Sequence, residues 1–330
     1  MRDPRGTVVR RRAASVTSVL VAAWLLTVLF VPLSLALAVV DLVRLKFRLP
    51  LLRLASFALC WAWLETAGVA AASWLWVSGR RGDVEAHYRL QRWWADRLMG
   101  ALRVTCGITI EVQGAELLVP GPTVLLVRHS SLADSLLTAW AVTEHAALRP
   151  RVVLKRELLS DPCLDIVGNR LPNYFLDRQA ENSAPGLAEL SRMGATMEHG
   201  CASIIFPEGT RANASKRRRA LERIAERDPE RADRLAGLRH VLPPRPAGTR
   251  ALLAGAAEVD ADVVIGWHVG FDGLDTFAGI LAALGRARTP IRMRFARVDA
   301  RDADDPGFDR WLDDLWCRVD QEVDELAQAS

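Results

Sequence analysis

The amino-acid sequence predicts an α/β fold: a mixed, largely parallel sheet flanked by helices, with an N-terminal apolar two-helix membrane hairpin. Three observations predict it. Two long apolar stretches stand near the N-terminus, and beyond residue 82 short β-branched runs alternate with helical stretches. The composition, 50% hydrophobic and 25% charged over 330 residues, is that of a chain that buries a core rather than of a disordered or coiled-coil one. The expected organisation is therefore a membrane-anchoring hairpin over 1–82 and an α/β domain over 83–330.

The hairpin rests on charge and length. No charged residue occurs from Ser15 to Val40, and Glu65 is alone from Leu54 to Val77. Each stretch is long enough to cross a hydrocarbon core of ~30 Å at ~1.5 Å per residue. Trp61 and Trp63 stand near one end of the second stretch and Trp74 and Trp76 near the other, as interfacial indoles do. Arg2, Arg5, Arg10, Arg11 and Arg12 precede the first stretch and predict a cytoplasmic N-terminus. Yet Arg44, Lys46, Arg48 and Arg53 mark the connection, and Arg80 and Arg81 follow the second stretch. Positive charge at all three flanks suits a hairpin dipping into one leaflet as well as one that crosses.

The α/β part opens with an amphipathic helix over Val84–Arg103, suited either to core packing or to a membrane surface. Strands are expected at Thr123–Val127, Val152–Leu154, Tyr174–Leu176, Ser203–Phe206, Val263–Trp267 and Ile291–Phe295. Helices are expected at Leu132–Thr143, Gly186–Glu198, Ser215–Leu235, Gly248–Val259 and Asp309–Ala327. The last reads as an amphipathic closing helix with a solvated acidic face, and His268 as a core histidine. Five cysteines lie far apart with no C-x-x-C, which excludes a zinc ribbon or a disulfide scaffold and suits a reducing compartment. The net charge of +4 is modest and flanks apolar stretches, so nucleic acid is not an expected partner.

Two segments carry chemistry, and each directly follows an apolar strand. In Arg128-His129-Ser130-Ser131-Leu132-Ala133-Asp134, a turn at His129 lets an aspartate in the first turn of the next helix reach the ring. The carboxylate then holds one ring nitrogen and leaves the other as a general base. In Phe206-Pro207-Glu208-Gly209-Thr210-Arg211, proline and glycine break the strand and open a loop, and Arg211 offers a planar fork suited to phosphate.

Together these segments resemble the glycerolipid acyltransferase family, specifically its 1-acylglycerol-3-phosphate acyltransferase group. Asn173-Tyr174-Phe175-Leu176-Asp177-Arg178 is similar to the family's second block and Val241-Leu242-Pro243-Pro244-Arg245-Pro246 to its fourth. Val153-Leu154-Lys155-Arg156-Glu157-Leu158 resembles a stretch between the first two, and the likeness covers about Val104 to Val298. It implies that His129 deprotonates the free hydroxyl of a lysophospholipid, which attacks the thioester of acyl-CoA or acyl-carrier protein, while Asp134 orients the imidazole. It further implies that Lys155, Arg178 and Arg211 hold the acceptor phosphate, that Glu208, Gly209 and Thr210 shape its pocket with Glu208 on a glycerol hydroxyl, and that Pro243 belongs to the substrate site. No Ser or Cys nucleophile, metal or resident cofactor is implied. The expected partners are a lipid bilayer, a lysophospholipid and the acyl donor, at the cytoplasmic face of the cell inner membrane.

The chain departs from the family pattern in two places. Pro172 stands where the second block usually has glycine, and the charged insert Ala212–His240, with Lys216-Arg217-Arg218-Arg219, resembles a longer branch that includes lysocardiolipin-type enzymes. The acceptor expected first is 1-acylglycerol 3-phosphate, giving phosphatidic acid. A lysocardiolipin or lysophosphatidylinositol acceptor is the alternative, and a lipid or thioester hydrolase using the same His–Asp pair is the rival chemistry. For the insert, a solvated charged helix is set against docking on anionic headgroups.

Overall fold

A computed structural model of the chain describes residues 4–176, 183–271, 277–285, 290–300 and 305–328. It divides into two compact units, one comprising 1–108, 154–173 and 277–288, the other 109–153, 174–276 and 289–330.

The first unit is helical. Helices α1 (Arg5–Val43) and α2 (Pro50–Val77) are both long and apolar enough to cross a membrane. They pack through small residues, with Ala23, Ala62 and Ala72 buried, and Trp63 donates to Thr27 Oγ1 at 2.9 Å. At the turn between them, Asp41 accepts from the Leu51 and Leu52 amides at 2.9 and 3.3 Å. A carboxylate from one helix thus satisfies the open N-terminal donors of the next. Helix α3 (Val84–Ala101), capped by Asp83, buries Ala86, Tyr88, Ala95, Leu98 and Met99. Its continuation over Leu102–Cys106 brings the Thr105 carbonyl to Arg53 at 3.2 Å, while Trp94 donates to Glu65 at 3.0 Å. Tyr88 shares a cluster with Ala72, so α3 follows α2 along its length.

The amphipathic segment therefore packs against the hairpin, leaving Arg89, Arg92, Asp96 and Arg97 on its exposed face. Two of the N-terminal arginines have a structural partner as well: Arg11 grips the Asp165 carboxylate through two bonds of 3.0 Å, and Arg12 reaches the Asp165 carbonyl at 2.9 Å. Asp165 belongs to the short helix α5 (Pro162–Ile166).

The second unit is built on the sheet. Its strands are β1 (Ile110–Gln113), β2 (Thr123–Val127), β3 (Arg149–Lys155), β4 (Tyr174–Leu176), β5 (Cys201–Ile205), β6 (Asp262–Val269) and β7 (Ile291–Val298), in the spatial order β1-β7-β6-β2-β5-β3-β4. Strands β6, β2, β5 and β3 run parallel, and β7 turns antiparallel to β6. All five residues of β2 are buried, as expected of a central parallel strand covered on both faces. The expected strands all form; β1 is the addition, a four-residue run that alternates half-buried and exposed positions and carries little apolar signal.

The helices of this unit are α4 (Asp134–His145), α6 (Ala184–Ala195), α7 (Ala214–Ala225), α8 (Pro229–Leu235), α9 (Pro246–Ala257) and α11 (Phe308–Gln328); α10 (Phe277–Leu284) belongs with the hairpin unit. Val124, Leu126, Ile205, Val263 and Ile265 meet Leu252 of α9 and Leu312, Trp316 and Val319 of α11 in one core. Helices α6 and α9 cross so closely that a Cβ on Gly255 would stand 1.8 Å from the Ser191 carbonyl, so only glycine fits there.

Two expectations need correction. The single helix expected over Ser215–Leu235 is two, because Pro229 cannot continue a helix and Asp228 instead caps a new one, accepting from the Arg231 amide at 3.0 Å. The acidic face of α11 is not wholly solvated. Asp313 and Asp320 are buried; Asp313 takes both arms of Arg231 at 2.8 Å, and Asp320 accepts the backbone amides of Arg239, His240 and Val241 at 2.6–3.1 Å.

Candidate active site

Because β5, β2 and β6 are parallel neighbours, their carboxyl ends lie side by side, and the crevice beyond such ends is where open α/β sheets bind ligands. His129 follows β2, Phe206 follows β5, and His268 is the penultimate residue of β6. Three chain segments far apart in sequence are thus delivered to one edge.

The His129 and Asp134 side chains meet as expected. His129 Nδ1 lies 2.8 Å from Asp134 Oδ2, and the ring is 13% exposed while the carboxylate is fully buried. Ser130 and Ser131 donate their amides to the same oxygen at 2.6 and 2.8 Å. Oδ1 accepts from the Ser131 hydroxyl, and His268 Nε2 approaches it to 3.1 Å. Burial alone would raise the Asp134 carboxyl, but the His268 and His129 rings hold it well below the usual carboxylate range. An ionised Asp134 places the His129 proton on Nδ1 and makes Nε2 the basic nitrogen, which is the protonation state a general base requires.

The second motif is tied to the first. Glu208 is 1% exposed; its Oε1 accepts the His129 amide at 2.7 Å and its Oε2 the Leu242 amide at 2.9 Å. The Ala212 amide returns to the His129 carbonyl at 2.7 Å, and the Phe206 ring stands 4.7 Å from the imidazole. Gly209 turns the loop with φ +65°, a left-handed conformation that costs a side-chain-bearing residue about 1–2 kcal/mol. Burial pushes the Glu208 carboxyl up to about 8, against the pull of the two amide donors and of Arg128. This carboxyl joins the His129 turn to the proline-bearing loop, a positional task that the glycerol-hydroxyl expectation did not contain.

Residues 109–243 match the family model described as Acyltransferase. The chain is also similar to the crystal structure of the 1-acyl-sn-glycerophosphate (LPA) acyltransferase PlsC from Thermotoga maritima, with 15% identity, a TM-score of 0.45, and coverage of 78% of this chain and 97% of that one. No curated protein matches the chain.

The other site residues expected from the sequence are placed as follows. One buried nitrogen of Arg211, Nη1, has no hydrogen-bond partner among the described residues. Thr210 and Pro243 line, with Glu208, a cleft of about 670 Å³. Lys155 ends β3 and is grouped with the hairpin unit, and Arg178 lies outside the described residues. Two residues acquire roles here that the sequence did not single out. His268 is buried, as its core reading expected, yet it is also the second imidazole on Asp134. Arg128, buried at the end of β2, donates to the His268 carbonyl at 2.5 Å and to the His240 carbonyl at 3.4 Å, joining three loops of the site. A histidine at the end of an apolar strand and an arginine between strand and motif were the available signals, and neither names its partner.

Proposed function

We propose that this protein is a membrane-anchored O-acyltransferase that moves a fatty acyl group from acyl-CoA or acyl-carrier protein to the free hydroxyl of 1-acylglycerol 3-phosphate, giving phosphatidic acid. The observation that carries the reading is the buried His129–Asp134 pair, hydrogen-bonded at 2.8 Å and built into the loop system that holds Arg211. His129 Nε2 removes the hydroxyl proton as that oxygen attacks the thioester carbonyl. Collapse of the tetrahedral intermediate breaks the C–S bond, and the imidazolium returns the proton to the leaving thiolate. Asp134 stabilises the imidazolium without itself being protonated, the logic of a triad whose nucleophile belongs to the substrate. Arg211, with a buried guanidinium nitrogen in need of an acceptor, suits the phosphate of that substrate.

The hairpin supports membrane anchoring. Leu20, Val21, Trp24, Leu25 and Val28 are exposed on α1, which is costly in water and favourable in lipid. Helix α3 runs along α2 with arginines on its outer face, so a polar surface accompanies the apolar one. This arrangement favours insertion from one side over a bare crossing.

The test is purified protein with a panel of lysolipids and labelled oleoyl-CoA, with lipid products resolved. Diacyl product from the phosphate-bearing acceptor is expected. His129→Ala and Asp134→Ala should each lower the rate by at least about 10²-fold, and near-parental transfer by either would refute the mechanism. Free fatty acid as the main product would make the protein a hydrolase.

A further inference from the structure

We infer that the arginine-lined cleft beside the Phe206–Arg211 loop binds the phosphates of the acyl donor, a 3′-phosphorylated nucleotide diphosphate of the coenzyme A type. This rests on the acyl-transfer reading and adds a site to it. Helix α7 carries Lys216, Arg219 and Arg223 toward the cleft, and Arg227, past the end of the helix, lines it too. The spacing of three and four residues puts Lys216, Arg219 and Arg223 on one helix face, where like charges repel.

Helix α8 adds Arg231 and Arg234 to the lining, and Arg245 joins them. The carboxyls of the cleft already have partners. Glu208 accepts two backbone amides, Asp228 caps α8, and Asp309 pairs with Arg250. Arg231 is fixed by Asp313, which makes it a preorganised donor. Arg223 and Arg227, in contrast, are exposed, and their side chains have no hydrogen bond or ion pair among the described residues.

The volume, about 670 Å³, is that of a ligand pocket rather than of a single-ion site. The helical stripe from Lys216 to Arg223 extends ~10 Å at ~1.5 Å per residue, with Arg227 beyond it, longer than one headgroup phosphate needs and suited to a diphosphate with a further phosphate beyond it. Thr210 lines the same cleft, so a ligand held there by α7 lies beside the loop that contains Arg211. The thioester end of a donor must approach that loop, whereas its nucleotide end is where the phosphates are. Arginine forks are the side chains best suited to such groups.

The experiment compares the parent protein with the charge-reversed double variant Arg223→Glu/Arg227→Glu. The donors are oleoyl-CoA and S-oleoyl-pantetheine, which has the same thioester but no nucleotide. The ratio of the KM values for the two donors should rise about 100-fold in the variant, on the order of tenfold per charge–phosphate contact. An equal change for both donors would overturn the proposal. So would a change confined to the KM for the lysolipid or to binding of phosphatidylglycerol vesicles, because the cleft would then serve the acceptor or the membrane surface. Binding of 3′,5′-ADP to full-length His129→Ala protein, measured by calorimetry, is independent of turnover: it should be present there, weaken with added salt, and be lost when the double reversal is included. Absence of binding to His129→Ala overturns the cleft assignment even if acyl transfer is found. Binding that the reversal abolishes upholds it even if no acyl transfer is found.

Discussion

Glu208 shows how a single side chain can be both chemically costly and structurally necessary. Its carboxyl is almost wholly buried yet receives two backbone amides from segments 34 and 79 residues away. Burial raises it from 4.5 to about 8, so the folded chain binds a proton that the unfolded chain has already released. Its contribution to stability is therefore full below about pH 4.5 and declines as the pH rises to about 8, where the folded form also ionises. Glu208→Gln removes this titration and replaces one acceptor by a donor that faces a backbone N–H, costing about 1–3 kcal/mol. The expected outcome is that the parent's advantage in thermal midpoint over Glu208→Gln is larger at pH 5 than at pH 8.5. A difference that stays constant, or grows with pH, contradicts a raised Glu208.

Among the elements, α11 has a task beyond covering the sheet. Asp320 receives three successive backbone amides from 239–241, the segment leading into Leu242, whose own amide reaches Glu208. The C-terminal helix thus sets the position of the proline-bearing loop, and through it one wall of the cleft. Asp320→Ala would leave those donors unsatisfied and should cost at least about 2 kcal/mol. It should also lower kcat at permissive temperature, since the Glu208 link to the His129 turn depends on Leu242. Denaturant unfolding and steady-state rates check the two parts; a variant with reduced stability and parental kcat would show that α11 supports the core alone. Helix α7 differs in kind: it buries none of its residues fully and owes its cleft-facing stripe to charge rather than to packing.

On the scale of the whole molecule, the exposed apolar surface of α1 separates this chain from an ordinary water-soluble α/β protein. Trp24 is 63% exposed and Val28 55%, far from the behaviour of a core helix. Removing two such residues from lipid should weaken membrane attachment without touching the sheet. Trp24→Glu/Val28→Glu is expected to reduce flotation with phospholipid vesicles severalfold, while the melting of the α/β unit followed by circular dichroism stays within a few degrees. Undiminished flotation would mean that another surface holds the protein on the bilayer.

The sequence alone determined six of the seven described strands, most helices, the apolar hairpin and the two motif loops, because each is written locally; β1, short and half-exposed, is the exception. Alternation, helical periodicity, and proline or glycine at a strand end all act within a few residues of one another. The His129–Asp134 pair was legible for the same reason, its members standing five apart. What the tertiary structure decided are pairings whose members share no local signal: His268 on Asp134, Leu242 on Glu208, Asp320 under 239–241, and α3 laid along α2. The insert followed the same rule. Its charges were plain to read, but only folding turned a proline break into two helices and brought arginines of both to one cleft. A hydrogen-bond donor in the chain marks what it can do; which acceptor it finds depends on strand order and helix packing, and these are set by the burial of apolar surface over the entire fold.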